Sequence, residues 1–240
     1  ADDRLADLRC ESILAGLRKP TPERFFQIKH AFLTGESVET IAECSRMDPW
    51  FLNQFRELVE AEQRFAAEWP GVSGSDPAAR ALVRRMKRMG FSDRQLADLV
   101  GLSETEMRHR RWALGVRPVY KMVDTCAGEF PSATPYLYSC YDEETEAGAV
   151  GDKTIIILGS GPNRIGQGVE FDYCCVRAVM ALRQLGYRTG MVNSNAETVS
   201  TDFDMSDALY FEPLTLEDVL EIVRLEQPLG VVVQFGGQAP

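Results

Sequence analysis

Apolar positions along the chain fall into two regimes. As far as about Pro118 they recur at three- and four-residue spacing, interrupted by stop and start signals. From Thr154 they come instead as short continuous runs between glycine-rich loops. The first regime predicts helices. Thr21-Pro22-Glu23 sets a capping residue before a proline at the first helical position, and Gly35 closes that helix. Ser37 caps a short helix through Cys44, and Asp48-Pro49 opens a long one through about Glu68. In the long helix Trp50, Leu58 and Phe65, with Phe51, Phe55 and Leu52 beside them, recur at helical spacing and are expected to face a core. Residues 70–75 read as a loop, Asp76-Pro77 starts the next helix and Gly90 ends it. Ser92 with Gln95, then Ser103 with Glu106, make two successive capping boxes.

The signals repeat at an offset of 55 residues. Gly35, Ser37, Ile41, Ala42 and Glu43 match Gly90, Ser92, Leu96, Ala97 and Asp98, and Met47-Asp48 matches Leu102-Ser103. Two copies of one helical hairpin are expected to pack together, too few for a solenoid.

Between 119 and 151 no periodicity survives. Phe130, Tyr136, Tyr138 and Tyr141 predict an ordered segment that packs along a neighbour, and Asp142-Glu143-Glu144 a solvated linker. The second regime reads as strand, glycine loop, helix, strand. Strands are expected at 154–158, 188–193, 209–211 and 230–235, with helices from about 171 to 185 and, capped by Thr215 with Asp218, to about 226. This alternation implies crossovers and a parallel sheet. Three or four strands are too few for a finished doubly wound domain, so a C-terminally truncated one is expected.

Composition narrows the class. With 240 residues, 45% hydrophobic and 26% charged, the chain has room for one large or two modest globular domains. No apolar run approaches the roughly 20 residues of a membrane helix, and the charged start is not a secretory signal. Cys10, Cys44, Cys126, Cys140, Cys174 and Cys175 form no CxxC and suit a reduced, cytoplasmic setting. His30 and His109 are the only histidines, which weighs against a zinc site or a histidine-based dyad. A net charge of −10 argues against a nucleic-acid coat.

Four stretches could carry chemistry. Gly159, Gly161, Gly166 and Gly168 lie between a strand and a helix, where backbone N–H groups can approach an anion. Yet Gly166 falls two places too late for a dinucleotide fingerprint, Pro162 removes a donor, and Asn193 stands near where a ribose-binding carboxylate belongs. No Gly-Lys-Ser/Thr follows, so a Walker loop fails too; a structural tight turn stands beside the nucleotide reading. Glu170 and Asp172 complement the dipole of the helix they open. The polar loop from Asn193 through Asn195 and Thr198 to Asp202 follows a strand's carboxyl end, where open α/β sheets place their sites. Finally, residues 91–116 have helix-turn-helix grammar. Residues 80–117 hold ten Lys or Arg against four Asp or Glu, a net of +6. Arg108-His109-Arg110-Arg111 sits where a recognition helix would be. A DNA reader is therefore the rival to a plain packed hairpin.

Two longer stretches go beyond grammar: 161–175 (GPNRIGQGVEFDYCC), and Val192-Asn193-Ser194-Asn195 with 197–202, 210–219 and 234–238. Both resemble the start of the carbamoyl-phosphate-forming half of the large chain of carbamoyl-phosphate synthases. Upstream, 20–24, 48–52 and 121–126 resemble the helical oligomerisation domain that precedes that half. Ala196 stands where the family usually has Pro, Arg177 where it often has His, and Ala239 where it has Thr.

The resemblance implies a multidomain fold: an all-α oligomerisation domain over 1–118, a connecting segment and acidic linker over 119–152, and over 153–240 an incomplete Rossmann-like α/β domain that precedes an ATP-grasp domain. It implies an ATP-dependent carbon–nitrogen ligase that makes carbamoyl phosphate from bicarbonate, glutamine-derived ammonia and two ATP. ATP and Mg²⁺ or Mn²⁺ would bind in the ATP-grasp parts, with no catalytic, cofactor or metal residue in this stretch. A small glutaminase subunit and the ATP-grasp domains would be partners, with self-association through the helical domain and neither nucleic acid nor membrane involved. Arg164 and Glu170 would face an internal passage for carbamate, where an Arg holds an anion and a nearby carboxylate keeps it from becoming a trap. Asn193, Asn195 and Thr198 would line the passage or an interdomain loop.

Overall fold

The computed structural model describes residues 10–69, 76–132, 134–148, 153–161 and 170–233. The chain divides into two compact units, Ala1–Leu114 and Gly115–Pro240.

Helices build the first unit: α1 (Cys10–Leu17), α2 (Arg24–Leu33), α3 (Val38–Ser45), α4 (Pro49–Glu68), α5 (Pro77–Arg88), α6 (Asp93–Val100) and α7 (Glu104–Ala113). Their starts follow the capping residues. The side chains of Ser37, Asp48, Asp76, Ser92 and Ser103 each accept a first-turn N–H, and Ser92–Gln95 and Ser103–Glu106 close full capping boxes. The bond from Ser103 also holds the Glu106 carboxyl below the usual range. One expectation needs correction. The helix expected from Pro22 begins at Arg24, after a turn in which Arg24 N–H donates to Thr21 C=O. Ahead of Thr21, in the stretch expected to be all-α but with no individual helix assigned, α1 forms and buries Ile13 and Leu17.

The repeat is present in the backbone. Gly35 and Gly90 have φ of +92° and +89°, and Arg46 and Gly101, also 55 apart, both turn left-handed at +59° and +71°. Ile28 and Val83, Ile41 and Leu96, and Leu52 and Met107 occupy equivalent positions and are fully buried in both copies. At one site the copies differ in kind. Phe32 and Val38 pack in the first core, whereas their equivalents are Lys87 and Asp93, buried among charges.

Asp93 is the centre of that cluster. Arg111 grips it from α7 through two bonds, Nε to Oδ1 at 2.8 Å and Nη2 to Oδ2 at 2.9 Å. Lys87 Nζ lies 3.6 Å from Oδ1 and donates to Phe91 C=O at 2.6 Å, and Arg108 Nε lies 3.8 Å from Oδ2. Arg108 and Arg111 are thus buried and turned toward protein carboxylates, Arg108 reaching Glu104 as well. A recognition helix needs such side chains on its outer face. The geometry gives the nucleic-acid reading no support.

The long helix brings the largest correction. Leu52 and Phe65 are buried as expected, but Trp50, Phe51 and Leu58 are exposed. Helical spacing marks an apolar face without saying what covers it.

The second unit is an α/β sheet: β1 (Val119–Met122), β2 (Tyr136–Cys140), β3 (Thr154–Leu158), β4 (Arg188–Asn193), β5 (Ala208–Phe211) and β6 (Gly230–Val233), with α8 (Glu170–Gln184) and α9 (Leu216–Glu226). The order is β1-β2-β5-β4-β3-β6. All neighbours pair in parallel except β1 with β2. The described sheet therefore has six strands, not three or four. The segment read as a connector supplies an antiparallel edge, with Tyr120 and Leu137 entering the core beside Tyr210.

Alternation along the central strands feeds both faces. Ile156, Val192 and Tyr210 face Ile222 of α9, while Ile157, Met191 and Leu209 face Cys175 and Val179 of α8. Where β5 ends, Glu212 takes over the ladder, its carboxylate accepting from the Ser139 N–H and, at 3.0 Å, from the Ser139 hydroxyl. Burial pushes this carboxyl up to about 7 against those two bonds. A carboxyl raised on folding binds its proton more readily in the native state, so its contribution is full below the ordinary range near 4.5 and is lost as pH rises through 7. Between pH 5 and 8, Glu212→Gln should therefore lose about 1–3 kcal/mol less stability than the wild type, read from denaturation midpoints at each pH. Parallel slopes for the two proteins would refute it.

Candidate functional site

The chain runs β3, β4, β5 in one direction across the sheet, then returns to place β6 on the other side of β3. Open parallel sheets bind ligands outside the carboxyl ends of their strands, close to such a reversal. On the β4 side of β3 that edge is made by Gly159 to Gly161 after β3 and by Asn193 at the end of β4.

Asn193 is completely buried, and its amide ties three segments together. Its Oδ1 accepts from the N–H groups of Gly161 and Asn195, both at 3.2 Å, and its Nδ2 donates to Ser200 Oγ at 3.4 Å. The β3 loop must come close for this. A Cβ on Gly159 would sit 2.6 Å from the Asn193 side chain, so only glycine fits. Asn193 thus occupies the position of a ribose-binding carboxylate but spends its polar atoms on the loop itself.

The loop after β4 folds into a 3₁₀ turn at Val199–Thr201, next to the start of α8. Asp172, on the first turn of α8 and 1% exposed, receives three hydrogen bonds from it. Thr198 Oγ1 donates to Oδ2 at 2.7 Å, Ser200 N–H to Oδ2 at 2.7 Å and Ser200 Oγ to Oδ1 at 2.6 Å. Three donors satisfy a buried carboxylate that would otherwise be costly. The chain Gly161–Asn193–Ser200–Asp172–Thr198 is continuous. Asn195, half-buried, accepts from Glu197 N–H at 3.0 Å and shapes the turn between them.

Thus Asn193 and Thr198 join one network and Asn195 lies beside it. Arg164 lies outside the described residues; Glu170 opens α8, but its side chain is outside them as well. Asp172 and Ser200 were missed as partners. A carboxylate in a first helical turn reads as a dipole complement, but Asp172 is in helical phase with the buried Cys175 and Val179, which was the available signal.

The network is positional rather than nucleophilic. Cys175, the buried thiol nearby, is pushed up to about 12, first by burial and then by the Asp172 carboxylate, so it stays protonated. Among the described residues no group of His, Cys, Asp and Glu is arranged to hold a metal ion, and no helix is long and apolar enough to cross a membrane.

Comparison with known proteins matches one family model to each unit. Residues 2–115 match the family model for the carbamoyl-phosphate synthetase large chain, oligomerisation domain, and residues 151–240 that for the carbamoyl phosphate synthase preATP-grasp domain. The carbamoyl phosphate synthase large chain of Gemmatimonas aurantiaca is 64% identical over 239 residues, covering 100% of this chain and 21% of the relative. Those of Xanthomonas campestris and Pseudomonas aeruginosa are 56% and 54% identical, each covering 98% of this chain and 22% of the relative. The chain spans about a fifth of the length of the curated relatives it matches. With both of its units matched in this way, the chain belongs to the carbamoyl phosphate synthase large-chain family.

Proposed function

We propose that these residues serve a cytoplasmic ATP-dependent ligase that makes carbamoyl phosphate from bicarbonate, glutamine-derived ammonia and two ATP. Residues 1–118 act as a helical oligomerisation domain, 119–152 as connector, and 153–240 as the domain ahead of an ATP-grasp domain. ATP and Mg²⁺ or Mn²⁺ bind in ATP-grasp parts of the longer chain, and a glutaminase subunit supplies ammonia.

The observation that carries the reading is the network at the carboxyl edge of the sheet. It commits Asn193, Asp172, Thr198 and Ser200 to holding two loops in one shape. That suits a wall rather than a reaction centre. In this reading Arg164 and Glu170 face a carbamate passage, with Asn193, Asn195 and Thr198 holding its border. Reading the basic hairpin as a nucleic-acid module has no comparable support, since Arg108 and Arg111 are buried against protein carboxylates.

The test is synthesis. Given ATP, bicarbonate and ammonia, the longer chain containing these residues makes carbamoyl phosphate, while residues 1–240 alone make none and hydrolyse no ATP. Bicarbonate-dependent turnover by the 240-residue chain, or none by the longer one, would refute the proposal.

A further inference from the structure

The two helical copies act as controls for each other's surface. In the second copy the outward positions are those of a solvated helix pair: Arg80, Arg88, Thr105, Glu106 and Arg110, most of them charged. The equivalents in the first copy, 55 residues earlier, are Phe25, Leu33, Trp50, Phe51 and Phe55. Phe25, Trp50 and Phe51 are 57%, 62% and 55% exposed. Ile28, Ile41 and Leu52 have buried apolar equivalents in Val83, Leu96 and Met107, so apart from the Lys87–Asp93 cluster the difference lies on the outside.

These side chains are joined. Phe25 of α2 stacks on Phe55 of α4 with ring centroids 5.6 Å apart, and Trp50 meets Phe51 edge-on at 5.0 Å. Phe51, Phe55 and Leu58 follow one another at helical spacing along α4. Scattered exposed apolar residues need no explanation, but a contiguous aromatic ridge in place of a charged face marks an interaction surface. Aromatics are enriched in interface cores and charges depleted there, and the more permanent the interface the stronger the bias.

We propose that this ridge on α2 and α4 is permanently covered by another domain of the longer polypeptide, through an apolar face of that domain. The inference rests on the reading that the chain is part of a longer one. The relatives at 54–64% identity carry roughly four times as many further residues in the same polypeptide. A tethered domain reaches millimolar effective concentration without depending on the protein's own concentration. Such a tether keeps an apolar face covered at any protein concentration.

Oxidative footprinting read by mass spectrometry tests this at Phe25, Trp50 and Phe51, in the 240-residue chain and in the longer chain, each at two concentrations tenfold apart. The expected result is fast labelling in the short chain and labelling slowed about fivefold or more in the longer one, as for residues entering an interface core, with no dependence on concentration. Equal labelling in both chains would overturn the proposal. So would protection that fades on dilution, because the occupant would then be a second copy. Protection in a longer chain that makes no carbamoyl phosphate would leave this inference standing and remove the functional reading instead.

Discussion

Asp93→Ala should lower the stability of the helical unit by about 3–5 kcal/mol, the cost of breaking a buried ion pair from one side. The carboxylate is fully buried and takes both bonds of the Arg111 fork, with Lys87 and Arg108 within 4 Å. Its loss strips Arg111 of that fork and leaves the cationic side of the cluster without its central counter-charge. The repeat supplies the comparison. Val38, at the equivalent position, sits in an ordinary apolar core, so Val38→Ala should cost only about 1–2 kcal/mol for the lost methyl groups and the cavity. Urea denaturation followed by helical circular dichroism reads both. Equal losses would mean that the charge cluster contributes nothing special.

Asp172→Ala should cost the α/β unit about 2–4 kcal/mol, because Thr198 Oγ1, Ser200 N–H and Ser200 Oγ lose their acceptor in a buried place. The effect should be local. Amide exchange of Ser200 and its neighbours should accelerate strongly, while β4, held on both sides by β3 and β5, keeps its protection. Asp172→Asn retains one acceptor oxygen and should loosen the loop without unfolding the unit. Unchanged exchange at Ser200 in the alanine variant would show that the turn stands without the carboxylate.

Much of the fold was legible because local chemistry decided it. Ser92, Ser103 and Thr215 each announce a helix start by a hydroxyl able to accept a first-turn N–H, and each does so in the structure. Strand β3 runs over the expected residues because its sequence, TIIIL, is mostly buried and reads as a continuous apolar run. Strands β1 and β2 were not legible. They are short, half-exposed and polar in part, and β2 finds its parallel partner β5 about seventy residues on. Trp50 and Phe51 misled for a related reason, since the pattern that predicts burial is the same whether the cover belongs to the unit or to another domain. At the site, Asn193 and Thr198 were found by their place after a strand, whereas Asp172 depends on a loop 26 to 28 residues away that no local rule connects to it.

The most direct test of the account is the ATP consumed per carbamoyl phosphate by the longer chain, assayed with the proposed glutaminase subunit and carrying Asp172→Asn. If the network holds the wall of a passage between two reaction centres, carbamate escapes before its second phosphorylation. The ratio then climbs well above two, while bicarbonate-dependent ATP hydrolysis continues at its normal rate. A ratio that stays at two while amide exchange shows the 193–202 loop loosened would contradict the account.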